Sequence, residues 1–127
     1  MTRQRTYRLG DLQLQIMKVL WKSGPASVAD VQGELEGGPL AYTTVATMLR
    51  KMEERQLVRH RQEQRRFVYE AAVAAEEVTR SMATDMVDRL FAGSLADAMS
   101  HFLETRDVSR RELDRLEQLI EQRKRRS

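Results

Sequence analysis

Apolar side chains recur at three- and four-residue spacing along most of this chain, and the pattern switches to alternation only once, near the middle. Leu12, Ile16, Val19 and Leu20 stand at i, i+4, i+7 and i+8 and predict a core-facing helix over residues 9–23. Gly10 or Asp11 would cap its start, and Gly24-Pro25 would end it, because proline restricts the residue before it and glycine accepts positive φ. A second, short helix is predicted from Ser27, whose hydroxyl three residues before Asp30 makes a capping-box-like start, with Val28, Val31 and Leu35 turned inward. Gly37-Gly38-Pro39 then breaks the chain before a third helix within AYTTVATMLRKMEERQLV, residues 41–58. At 100° per residue, Val45, Met48, Leu49 and Met52 form one stripe, and Thr43, Ala46, Thr47 and Arg50 point to the other side. Two short helices, a tight break and a third helix with a small polar outer face make a helix-turn-helix.

The alternation follows directly. Leu57–Arg61 and Arg66–Glu70 are β-prone runs around a polar link, Gln62–Arg65, and predict a two-stranded hairpin, although the link has no glycine or asparagine. Val58 and His60 are expected on one face, Phe67 and Tyr69 on another. A hairpin after a helix-turn-helix is a wing, and it places Arg65 and Arg66 at its tip. Beyond it the helical period returns. Residues 75–92 carry Val78, Met82, Met86, Leu90 and Phe91 near one face, Gly93-Ser94 breaks the run, and Leu95, Met99, Phe102 and Leu103 form the next stripe. Ser109 with Glu112 gives an S-x-x-E capping box opening a last helix with Leu113, Leu116 and Ile120. Three short amphipathic helices do not easily bury these positions on themselves, so the two stripes are assigned to dimerisation. Folding back on the first half as a monomer is the alternative. The fold class is mainly α with a small β wing: a winged helix-turn-helix domain over 1–73 and a helical dimerisation arm over 74–127.

The outer face of the third helix is small, hydroxylated and basic, with no acid before Glu53, which suits entry into a DNA major groove. Thr43 and Thr47 would exchange hydrogen bonds with base edges, Ala46 or a threonine methyl would meet a thymine methyl, and Arg50 would reach phosphate or guanine. Thr44 and Lys51 at the flanks, with Arg65 and Arg66 of the wing, would hold the phosphate backbone. An ordinary solvated helix can show the same face, and so can a winged helix that contacts another protein. Salt-dependent binding to duplex separates DNA from a protein partner, because counterion release makes DNA affinity fall steeply with salt. A regulator that binds a small effector directly, in a pocket between dimerisation helices, is a third reading.

Three segments together, LGDLQLQIMKVLW, AYTTVATMLRKMEERQLV and the hairpin ending RRFVYEA, resemble the penicillinase repressor (BlaI/MecI/CopY type) family of bacterial transcription regulators. The resemblance runs from about Leu9 to about Ile120. Its most specific piece is the AYTTV opening of the third helix, supported by Trp21, and FLETRDVSRRELDRLEQLI resembles the family's C-terminal dimerisation helices. Ala46 departs from many relatives, which have a larger residue there. The resemblance implies a homodimeric winged-helix repressor on a palindromic operator, of the antibiotic-response type, acting by covering a promoter. It also implies a membrane sensor metalloprotease as partner, triggering cleavage at a bond that aligns here with His101-Phe102, where the family has Asn-Phe. Cleavage there would remove the last helix. On helical spacing alone, Phe102 is a core residue.

Composition narrows the field further. The chain has 127 residues, with 32% charged and only 6% aromatic side chains, so its core is thin, a condition often completed by association. The net charge of +3 is unevenly placed: residues 1–74 carry 12 basic and 8 acidic side chains, residues 75–127 carry 10 and 11. The basic excess lies in the half expected to meet DNA. Arg3, Arg5 and Arg8 form either an arm near DNA or a merely solvated terminus, and Arg123–Arg126 a solvated helix end where cations are favourable. With no cysteine, disulfides and thiolate metal sites are excluded, and so is the cysteine-rich copper motif of one family branch. Neither His60 nor His101 has a neighbour at metal-ligand spacing, no nucleophile elbow or phosphate-binding glycine loop occurs, and Glu76-Glu77 sit at a helix start. No enzyme activity and no cofactor are therefore expected. No apolar run is long enough to span or insert into a membrane, and residues 1–9 lack the apolar core of a signal peptide, so a cytoplasmic location is expected.

Overall fold

The computed structural model describes residues 5–37 and 40–127, so Arg3 and the Gly38-Pro39 part of the predicted break lie outside it. The elements run α1 (Asp11–Ser23), β1 (Ala26–Ser27), α2 (Val28–Glu34), α3 (Tyr42–Glu54), β2 (Val58–Glu63), β3 (Arg66–Ala71), α4 (Ala75–Phe91), α5 (Leu95–Thr105) and α6 (Arg110–Arg125). One antiparallel sheet has the order β1-β3-β2. Helices dominate, with a small β wing after the third helix, which is the winged-helix architecture the periodicity predicts. Contacts divide the chain into two compact units, the first ending at Asp85 and the second Met86–Ser127. The division falls inside α4, which runs continuously through it.

In the first unit, α1, α2, α3 and the sheet enclose one apolar core. Ile16 and Met17 of α1, Val31 of α2, and Val45, Leu49 and Met52 of α3 have no exposed surface. The α1 stripe is shifted from its predicted centre: Met17 is fully buried, whereas Leu12 and Val19 are half-buried at its margins. Val78 on the first turns of α4 is buried, and Met82 packs at the edge of the same core. The Trp21 indole N–H donates to the Val73 carbonyl (2.9 Å), tying α1 to the segment that leaves the sheet.

Caps fix the helix starts. The Gly10 N–H donates to Gln13 Oε1 (3.2 Å) at α1. At α2, Ser27 Oγ accepts from the Asp30 N–H (3.1 Å) while Asp30 Oδ2 accepts from the Ser27 N–H (3.2 Å), a complete capping box. The Ser27 hydrogen bonds, and more weakly the charge of Arg66, hold the Asp30 carboxyl below its ordinary pKa. Ser94 and Ser109 cap α5 and α6 by accepting from the N–H groups of Asp97 (3.0 Å) and Glu112 (3.1 Å).

The sheet differs from expectation in three ways. Ala26 and Ser27 form a strand of their own, paired with Tyr69 and Val68, too short to show a period. The hairpin turn is tighter than the predicted link, because Gln62 and Glu63 belong to β2 and pair with Phe67 and Arg66. The register also sets His60 opposite Tyr69 and Val58 opposite Ala71, and residues directly opposite share a face. Val58, His60, Phe67 and Tyr69 therefore lie on the same side of the wing, not on two.

Candidate nucleic-acid interface

The candidate surface starts with α3, whose buried stripe anchors it and so determines what faces outward. Thr43, Thr44, Arg50 and Lys51 are exposed, and Thr47 is half-buried, its Oγ1 accepting from Arg50 Nη2 (3.3 Å). Four of the eight residues predicted to meet DNA thus lie open on one helix, and two of its outward side chains are bonded to each other. Ala46 differs from its predicted outward position. It is half-buried and packs against the core, because about 100° of rotation from Val45 places it at the edge of the buried stripe. Tyr42, at the head of the helix, is 54% exposed and was not among the predicted residues.

The wing stands beside this helix, locked by contacts invisible without the register. Glu53, at the far end of α3, accepts from the His60 backbone N–H (3.0 Å), and its two oxygens lie 2.6 and 2.8 Å from His60 Nδ1. That imidazole contacts the rings of Phe67 edge-on (centroids 4.9 Å apart) and Tyr69 (5.4 Å). Burial first, and then the Glu53 carboxylate, raise the Tyr69 phenol above its ordinary pKa, against the opposing pull of Arg50. Glu53 therefore joins α3 to the inner face of the wing. Phe67 remains half exposed at that face, beyond the locked histidine.

The outer face of the hairpin carries charge. Arg59 donates to Glu70 (2.8 Å), and Arg61 to Glu63 (3.1 Å) and Glu70 (3.3 Å). The hydrogen bond from Arg59 is the main cause lowering the Glu70 carboxyl pKa. These two arginines are committed to the wing's own carboxylates, which separates them from Arg65 and Arg66, the pair predicted at the tip. Both tip residues are exposed. The turn is made by Gln64 (φ 46°) and Arg65 (φ 73°), two left-handed residues in succession without a glycine. Such a two-residue turn matches strand twist but ordinarily requires glycine or asparagine. Side chains in this region cost about 1 kcal/mol or more. Arg65→Gly should therefore raise the thermal midpoint of the protein, by about 1 kcal/mol of stability, while weakening duplex binding and reducing its salt slope by about one phosphate. Parallel thermal melts and salt titrations check the opposite signs; a loss of both would refute the trade-off.

In the second unit, the predicted dimerisation residues split by exposure. Leu95, Met99, Leu103 and Ile120 are exposed, Leu95 at 66% and Ile120 at 55%, whereas Phe102, Leu113 and Leu116 are half-buried. Ala98 is the buried residue of α5, and α6 has none. Phe102 packs near Phe91, with ring centroids 6.1 Å apart, and His101 lies 5.7 Å from each of those rings. The His101-Phe102 bond is inside α5, where the His101 carbonyl accepts from Thr105 Oγ1 (2.8 Å) and the Phe102 carbonyl from the Arg106 N–H (3.2 Å). Among the described residues, no cluster of histidine and carboxylate side chains is placed to hold a metal ion, and no helix is long and apolar enough to cross a membrane.

A three-helix core with a hairpin locked to its third helix defines a winged-helix protein. A profile of the penicillinase repressor family matches residues 9–122. The chain is 28% identical over 120 residues to the penicillinase repressor of Bacillus licheniformis, covering 94% of each chain. It is 32% identical over 118 residues to the transcriptional regulator BlaI of Mycobacterium tuberculosis in two strains, covering 87% of this chain and 86% of the relative. The chain belongs to the penicillinase repressor family, a family of transcriptional repressors rather than enzymes.

Proposed function

We propose that this repressor binds a palindromic DNA operator as a homodimer, with α3 in the major groove and the wing tip along the phosphate backbone. The observation that carries this reading is the outer face of α3: Thr43, Thr47 and Arg50 stand opposite a fully buried stripe, with no acid among them. Thr43 and Thr47 read base edges, and Arg50 reaches guanine or phosphate. Thr44, Lys51, Arg65 and Arg66 hold the backbone. Ala46 offers a methyl at the margin of this face. Dimerisation runs through the second unit, where Leu95, Met99, Leu103 and Ile120 leave apolar surface exposed and Phe102, Leu113 and Leu116 support it. The binding domain is read as residues 1–73 and the dimerisation arm as 74–127, with the first turns of α4 packed on the core of the binding domain through Val78 and Met82, and the protein acts in the cytoplasm.

Relief of repression follows the family pattern in this reading, through cleavage of His101-Phe102 on a signal from a membrane sensor metalloprotease. Because that bond is inside a hydrogen-bonded helix, α5 must unwind before a protease can take it as an extended segment. Loss of α6 would then leave each half to bind one half-site without the affinity gained by linkage. Direct control by a small effector is the competing route, and immunoblots of antibiotic-treated host cells separate the two: the full-length band falls only if cleavage operates. The DNA reading itself is tested by selecting duplexes from a random-sequence pool with the full chain and sequencing them. Enrichment of an inverted repeat with half-sites about one helical turn apart is the expected result; recovery of no duplex would refute it.

A further inference from the structure

The junction between α3 and β2 joins the two elements proposed to touch DNA, and it is an unusual turn. The Gln56 N–H donates to the Glu53 carbonyl and the Leu57 N–H to the Met52 carbonyl, each at 2.9 Å, which is the bonding of a Schellman motif. Leu57 and Met52, the apolar pair that accompanies such a motif, are both buried. The left-handed position falls on Gln56 (φ 64°), where glycine is the usual residue. Two outward carbonyls of this turn, Arg55 and Gln56, receive the guanidinium of Arg5: Nη2 donates to the Arg55 carbonyl and Nη1 to that of Gln56 (3.4 Å). A cation at a helix C-terminus is favourable in itself.

Arg5 is held in turn. Its guanidinium lies 4.9 Å from the centre of the Tyr7 ring. Tyr7 is buried, its hydroxyl donates to Glu77 (3.0 Å), and its backbone N–H donates to Ser81 Oγ (2.8 Å), while Arg8 pairs with Asp85 (3.4 Å). The segment from Arg5 to Arg8 is therefore a strap from α4 to the end of the recognition helix, opposite in role to an arm that grips DNA. Glu53 and His60 bridge the same junction from the wing side.

We infer that Arg5, anchored through Tyr7, is a positioning residue that latches the α3–β2 turn and so fixes the angle between recognition helix and wing. It acts through the protein and makes no phosphate contact. The inference rests on the DNA reading for its effect on binding, but the latch itself is measurable without DNA. Full-length Arg5→Ala, Arg5→Lys, Gln56→Gly and the Arg5→Ala/Gln56→Gly double variant are compared on a duplex selected by the wild type. Arg5→Ala should weaken binding about three- to tenfold, the scale of a lost helix-terminus cation and cap. Its slope of log affinity against log salt should stay that of the wild type. Arg5→Lys should retain most of the affinity, and Gln56→Gly in the Arg5→Ala background should restore it to within about twofold, because glycine holds the left-handed turn unaided. Amide exchange of Gln56 and Leu57 in the absence of DNA should quicken in Arg5→Ala. Unchanged affinity, a slope reduced by about 0.9 as for a lost phosphate contact, failure of the glycine rescue, or unchanged exchange would each overturn the inference. A wild type that selects no duplex refutes the DNA reading alone, and the exchange result then still decides the latch.

Discussion

Thr47→Glu should abolish operator binding while leaving the winged-helix unit folded. Thr47 sits midway along α3, half-buried beside Arg50 and opposite Val45, Leu49 and Met52. In the proposed docking a carboxylate there would displace a hydrogen bond at a base edge and face the phosphates with like charge, and it would also capture the Arg50 guanidinium that otherwise reaches the groove. One lost base contact costs about 1 to 3 kcal/mol, and the added repulsion places the total at about 3 kcal/mol or more, roughly 150-fold in affinity. Stability should change by less than about 1 kcal/mol, since nothing in the buried stripe moves. A mobility-shift titration paired with a thermal melt decides it. Wild-type affinity in the variant would remove α3 from the interface, and a collapsed melt would make the loss uninformative about the groove, in which case exposed Thr43→Glu serves instead.

The second large effect is expected from Ile120→Asp. Ile120 is exposed in the single chain, so the substitution buries no charge within one molecule. In a two-chain interface the same carboxylate would be desolvated without a partner, at a cost of several kcal/mol per chain. Sedimentation should show dimers of the wild type at micromolar concentration and monomers of the variant, with operator binding falling by the loss of linkage between half-sites. A variant that sediments as the wild type does would place the interface elsewhere. Leu103→Asp on α5 is the companion change and should act in the same direction.

Legibility in the sequence followed the physics of each element. Helices were readable because burial on one side imposes a 3.6-residue period, and α1 and α3 show it over three or more turns, while α6 keeps the same period with no residue buried within the chain. The start of α2 was readable from two residues, since a serine three positions before an aspartate has one good use at a helix start. β1 escaped because two residues have no period. The hairpin was readable from its alternation, but its link was drawn two residues too long, because Gln64-Arg65 lacks the residues that so tight a turn favours, a local rule broken at a site proposed to contact phosphate. Of the outward face drawn as Thr43, Ala46, Thr47 and Arg50 with Thr44 and Lys51 at its flanks, Thr43, Thr44, Arg50 and Lys51 are exposed, whereas Ala46 lies at a stripe edge where a few degrees of rotation decide burial. The Glu53-His60 bridge and the Arg5 strap were out of reach, being products of register and of a chain separation of about fifty residues.

No residue of α6 is buried within the chain, although Leu113 and Leu116 are partly covered and Leu119 and Ile120 remain open. If that helix finds its partner in a second copy, pairing takes no account of whether α3 is sound. A gene copy encoding Thr47→Glu would then yield subunits that still assemble with wild-type ones, and each mixed pair would have only one competent reading head. With equal expression, random pairing would leave about a quarter of the pairs intact. The mutation would behave genetically as a dominant negative, whereas Ile120→Asp, which cannot assemble, would be recessive.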